Sequence, residues 1–246
     1  MRAFFQLTAS EFRLFIREPM LAFFGLLFPA VLIGILGCIP DFREANPDLG
    51  GQRVIDFYVP IALALAIAML GLQSIPQLLA TYRERGVLRR LATTPASPIM
   101  LLGAQLTMAF GTALGAGVLA TLVGRIAFGV PLPGNVLLYL LAFLLCGAAV
   151  FAVGIFVAAV APSGKAANGI GTGLFFLLMF FAGLWTPREL MPDWLQRIGE
   201  LTPLGAGQAA MQAASVGHGP TLLSVVVLLA YAGIFTAGAA RFFRWS

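Results

Sequence analysis

Long apolar runs separated by short polar stretches set the pattern of this chain. They cover roughly Met20–Ile39, Phe57–Ala80, Ile99–Gly124, Val136–Ala161, Ala166–Leu184 and Leu222–Ala240. Each has about the 20 residues that a helix rising 1.5 Å per residue needs to cross a ~30 Å hydrocarbon layer. The first run contains Pro29, which a bundle tolerates where neighbours satisfy the freed carbonyl. Residues 1–18 read differently. Phe5, Phe12, Phe15 and Ile16 can share one helical stripe, while Gln6, Ser10, Arg13 and Arg17 lie elsewhere. Such a helix suits the headgroup plane, with its arginines towards anionic lipid; a plain cytosolic tail is the alternative. No cleavable signal is expected, because no small-residue cleavage site follows a short apolar core.

Two stretches interrupt the pattern more strongly. Residues 82–98, YRERGVLRRLATTPASP, set four arginines against one carboxylate, Glu84. Residues 185–219 mix prolines, charges and aromatics, and two short helices are expected there, about Arg188–Gly199 and Pro203–Val216. Neither is apolar and long enough to span, so both should lie on or dip into one interface.

Composition changes the picture only by fixing the solvent. Of the 246 residues, 60% are hydrophobic and 10% charged, and mean hydropathy is +0.95. A soluble domain would carry about a quarter of its residues charged. The expected fold is therefore an all-α membrane protein, with an N-terminal interfacial helix and six transmembrane helices in one domain, residues 1–246. Ten of the 15 Lys and Arg residues fall on the side of the termini and the 82–98 loop. The positive-inside rule places both termini in the cytoplasm. Cys38 and Cys146 lie in different apolar runs and read as packing thiols.

Chemistry of its own is largely missing. His218 is the only histidine, so no histidine-based metal cluster is expected. The only lysine gives Ser163-Gly164-Lys165-Ala166 with Ala159 in place of the first glycine, which is no phosphate-binding loop. No charge lies in the middle of a run, where an ion-coupled carrier commonly keeps its coupling site. Energy is thus expected from outside the chain.

These features together resemble the permease subunits of ABC transporters of the type-2 exporter class, over nearly the whole length. Two motifs carry the resemblance. One is an inner-loop pattern of Glu84, Gly86, Leu88, Leu91 and Pro95. The other is an outer pattern of Gly183, Pro187, Leu190, Pro192, Trp194, Leu195, Ile198 and Pro203-Leu204. Within the class the chain looks most like the small antibiotic- and lipid-exporting members, such as daunorubicin-resistance permeases. It departs from them at Gln212, where relatives often have arginine.

The resemblance implies an exporter of an amphiphilic or hydrophobic drug, antibiotic or lipid-like substrate in a bacterial plasma membrane. It implies a homodimer or heterodimer with a second permease and a separate ABC ATPase subunit. ATP and Mg would bind that partner, and this chain would bind no cofactor, metal or nucleic acid. The interfacial helix (Phe5, Phe12, Arg13, Phe15, Arg17) and a coupling helix (Glu84, Arg85, Gly86, Leu88, Arg89, Leu91) would touch the ATPase. The residues alone also allow that the apolar stripe rests on lipid and the arginines only set topology. Trp185, Pro187, Pro192, Trp194 and Pro203 read as an outer gate or as a headgroup anchor. Gln73, Ser74, Gln105 and Thr112 could line a pathway or make ordinary interhelical hydrogen bonds. An accessory or assembly membrane protein without transport activity is the competing class. A lipid-modifying enzyme is disfavoured, because no paired carboxylates or histidine cluster occur in the runs.

Overall fold

The structure is a computed structural model describing residues 2–87 and 98–242. All regular structure among these residues is helical, apart from one isolated bridge between Ala45 and Arg53. Helix α1 is Arg2–Arg17. Helix α2 occupies residues 19–37, and α3 runs Val54–Glu84. Then follow α4 (Pro98–Phe128), α5 (Val136–Val160), α6 (Gly164–Phe181), the short α7 (Asp193–Glu200) and α8 (Pro203–Ser215), and α9 (Leu222–Phe242). Five of them, α3 to α6 and α9, are long and apolar enough to cross a membrane.

The first expected span differs from the other five. Helix α2 is assembled from Pro19–Ala22, a π-type turn at Phe23–Leu27, and Phe28–Gly37. Its uninterrupted apolar part, Phe23–Gly37, is short. Helix α3 has the same construction, with a π-type turn at Met69–Ser74. In both cases a proline, Pro29 or Pro76, stands two residues beyond the turn. Proline brings no N–H and its ring crowds the carbonyl four residues back. Widening the preceding turn relieves that crowding and leaves carbonyls unpaired within the helix.

At Pro76 those carbonyls belong to Leu72, four residues back, and Gly71, five back. The amide of Ile75 bonds to Leu70 instead. The neighbours that meet these two carbonyls are glycines. A side chain on Gly154 of α5 would begin where the Gly71 oxygen lies, and one on Gly171 of α6 where the Leu72 oxygen lies. Backbone therefore meets backbone at two crossings of α3, in the manner of Cα–H···O contacts. Gly71 itself admits Phe151 and Val150 of α5.

These close crossings make α3 the centre of the bundle. Nearly every residue from Val54 to Ala68 is buried, with α4, α5, α6 and α8 around it. Helix α9 packs mainly on α5, and α2 on α4 and α3. Helix α8 is no surface helix. Pro203, Leu204, Ala206, Gln208, Ala210, Met211 and Ala214 are buried against α3, α5, α6 and α9. The expected Arg188–Gly199 helix is cut by Pro192 into a single turn at Arg188–Leu190 and α7. On α4, Gly111 faces open space and Gly115, one turn on, faces Leu26. Gly117 takes the Leu63 side chain instead.

Gly154→Ala and Gly171→Ala should each cost at least about 1–3 kcal/mol, the usual range for overpacking. The thermal midpoint of purified protein measures this. Gly169→Ala, where nothing lies within 4 Å, should leave it unchanged.

Candidate functional site

Three helix ends near the close of α3 are joined by two adjacent side chains. Gly86, at φ +66°, stops the helix in the left-handed conformation that glycine adopts without strain. Just before it, the Arg83 guanidinium donates to the Ala158 and Ala159 carbonyls at 3.0 and 2.9 Å, and to that of Ala161. These carbonyls belong to the last turn of α5 and the residue that follows, where a cation also opposes the negative end of the helix dipole. Glu84 turns to the next helix. Its Oε2 accepts from the Gly164 amide, the first residue of α6, at 3.0 Å. Ser163 completes that cap by accepting from the Ala166 amide at 3.2 Å. A cation thus closes a helix C-terminus and the neighbouring anion closes a helix N-terminus, so the 161–164 turn is stapled to the end of α3.

The other end of α3 repeats the first half of this device. Arg53 donates to the Phe128 and Gly129 carbonyls at 2.9 and 3.2 Å, closing α4. Asp56 holds the guanidinium at 2.7 and 3.1 Å.

Helix α1 is anchored beside the Arg83–Glu84 staple. Glu11 is 5% exposed. Its carboxylate accepts from the Tyr82 hydroxyl of α3 at 3.3 Å, and from the Gln105 amide of α4. Burial raises the Glu11 carboxyl above the ordinary range, while the hydrogen bonds from Tyr82 and Gln105 act in the lowering direction. Phe15, one turn further on, is also buried and approaches Gly25 of α2.

Each expected site residue can now be placed. Of the interfacial stripe, Phe15 faces inward, while Phe5 and Phe12 are exposed and line a groove beside Thr107 and Gly111 of α4. Arg13 and Arg17 are exposed. Of the coupling residues, Glu84, Arg85 and Gly86 are described, with Glu84 and Arg85 exposed. Leu88, Arg89 and Leu91 lie outside the described residues. The four pathway residues do not share one cavity. Gln105 binds Glu11, and buried Thr112 bonds the Met108 sulfur at 3.6 Å within α4. Gln73 and Ser74 line different cavities, both of which reach Glu18.

The opposite end of the bundle holds the aromatic segment. Trp185 leans on Phe176 and Phe180, with ring centroids at 6.2 and 6.5 Å. Trp185 and Trp194 are exposed, Pro192 is exposed, and Pro187 and Pro203 are buried. The organising residue there is Arg188, which is 6% exposed. It donates to the Gly205 and Gln196 carbonyls at 3.0 and 3.3 Å and lies 3.8 Å from Glu200. Sequence reasoning used Arg188 as the start of an expected helix, and passed over Glu11 and the cap made by Arg83. The one available signal was a charged residue among apolar ones, at a position its helix must bury.

The sequence matches the family described as "ABC-2 type transporter" over residues 2–216. It is also 36% identical over 72 residues to a protein of Bacillus subtilis (strain 168) named "Putative transport permease YvfS". That match spans 29% of this chain and 29% of the relative's length.

Two outcomes test the site. Arg83→Met should lower stability by about 1.5–3 kcal/mol, the range for hydrogen bonds to a charged group, read as a fall in thermal midpoint. For Glu11 the sign follows from its raised pKa. The native state binds the proton more tightly, so the stabilisation is complete below the ordinary value of 4.5 and is lost as pH rises through the native value. The midpoint of the wild type relative to Glu11→Gln should therefore fall as pH is raised above 4.5.

Proposed function

Because the chain belongs to the ABC-2 type transporter family, we propose that it is the permease subunit of an ATP-driven exporter for an amphiphilic or hydrophobic substrate. The ABC-2 permease is the membrane component of such a transporter, and the ATPase is a separate partner. Residues 19–37 serve as the sixth span, entering obliquely through the π-type turn. Both termini and residues 82–98 lie on the cytoplasmic side, as the positive-inside count favours. Two permease chains assemble in a bacterial plasma membrane, with ATP and Mg on the ATPase.

The Arg83–Glu84 staple carries the mechanism. Residues 88–97, which contain Leu88, Arg89 and Leu91, begin two residues after Gly86. A push on this segment is delivered to α3, and through Arg83 and Glu84 to the ends of α5 and α6 together. One short docking element can then move three spans as a unit. The glycine crossings at Gly154 and Gly171 lie further along the same three helices and act as the pivot.

The test is the purified complex with its ATPase in lipid. Leu88→Asp and Leu91→Asp should abolish permease-stimulated ATP hydrolysis by removing the docking surface. Glu84→Ala should leave the ATPase bound but reduce transport per ATP. Unchanged transport and hydrolysis in all three variants would sink the coupling assignment. Substrate accumulation unaltered by deletion of the gene would instead favour an accessory or assembly role.

A further inference from the structure

Between α1 and the final turns of α3 lies a cavity of about 400 Å³ whose polar wall is unusual for a bundle of this composition. Among the described residues two carboxylates, Glu11 and Glu18, line it, against one cation, Arg85. Tyr82 contributes an aromatic ring, and Phe15, Leu78 and Met108 form the apolar wall. Ser74, 6% exposed, also lines the cavity, and no hydrogen bond among the described residues involves its hydroxyl. Behind Glu11, the Gln105 side chain is spent on the carboxylate through its nitrogen, while its buried Oε1 has no partner. Among the described residues the cavity therefore offers an excess of acidic side chains and the unpartnered Ser74 hydroxyl, at the bundle end where α1 and the charged end of α3 meet.

We propose that this cavity binds the ammonium head of an amphiphile, with Glu18 and Glu11 as its counter-charges and the first methylenes of the tail along Phe15, Leu78 and Met108. Three features select that chemistry. Among the described residues two carboxylates line the cavity against one arginine, an acidic excess that suits a monocation. The Tyr82 and Phe15 rings suit an organic cation through their π faces. A bare divalent metal would draw in several oxygen ligands at about 2.3–2.6 Å and leave an apolar wall with nothing to cover. The location agrees, because an amphipathic α1 belongs at headgroup depth, where a charged head and an apolar tail meet. This inference does not depend on the direction of transport or on the ATPase.

The experiment uses the full chain in phosphatidylglycerol nanodiscs, titrated with dodecylammonium and, as the uncharged match, dodecanol. Saturable binding of the amine and not the alcohol is expected. Glu18→Gln should weaken it roughly tenfold, the loss of one charge-assisted contact. Arg85→Ala should tighten it by removing a like charge, an effect of opposite sign that damage to the fold would not produce. Phosphatidylethanolamine in the nanodisc identifies a lipid head as the source if it competes with dodecylammonium, and a soluble amine if it does not. Equal binding of dodecanol, or undiminished binding by a folded Glu18→Gln protein together with no gain in Arg85→Ala, would overturn the proposal.

Discussion

A proline in the central helix dictates how this bundle closes. Pro76 cannot donate to Leu72 or Gly71, and a membrane interior offers no water to take the donor's place. The bundle answers with glycines at the two points where those carbonyls emerge, Gly154 on α5 and Gly171 on α6. Removing the side chains lets three backbones approach closely, and in lipid such close packing is a main source of helix association. The same crossings set the height of α5 and α6 against α3. Their ends are consequently in register with Arg83 and Glu84.

That register explains why two adjacent charges can serve two helices of opposite direction. Helix α5 finishes and α6 begins within one short turn, so a carbonyl-rich end and an amide-rich end lie side by side. Arginine answers the first with several donors, and glutamate answers the second with an acceptor. Arg53 closes α4 at the other end of α3 in the same way. The central helix is thus fastened at both ends by charge and in the middle by backbone contact. Little in this arrangement relies on a hydrophobic driving force between helices, which lipid does not supply.

The anchoring of α1 follows a different logic. An amphipathic helix on a membrane surface is held by its apolar face, yet here the deepest contacts combine Phe15 with a carboxylate. Burying Glu11 is costly unless hydrogen bonds hold it, and Tyr82 and Gln105 supply them from two different helices. The arrangement fixes the angle of α1 and leaves Phe5 and Phe12 exposed beside α4. The same arrangement leaves a polar cavity at the foot of α3.

What the sequence determined by itself was whatever depends on local pattern. Five spans, the amphipathic start, the two polar interruptions and the charge asymmetry all follow from hydrophobicity counted along the chain, because crossing lipid demands length and apolarity from each segment separately. The 82–98 stretch and its likeness to one transporter class were legible for the same reason. Tertiary structure alone decided the rest. Whether Glu84 caps Gly164, whether Phe15 or Phe12 turns inward, and whether Arg188 is a surface charge or a buried clasp depend on which neighbour stands opposite. Helix α8 shows the limit most plainly: too short to span, it read as lying on or dipping into one interface, and only its neighbours decided that its small residues pack inward and bury Gln208. In α2, Pro29 was legible as a residue a bundle must accommodate, and the structure shows that the helix does so by widening the turn at Phe23–Leu27.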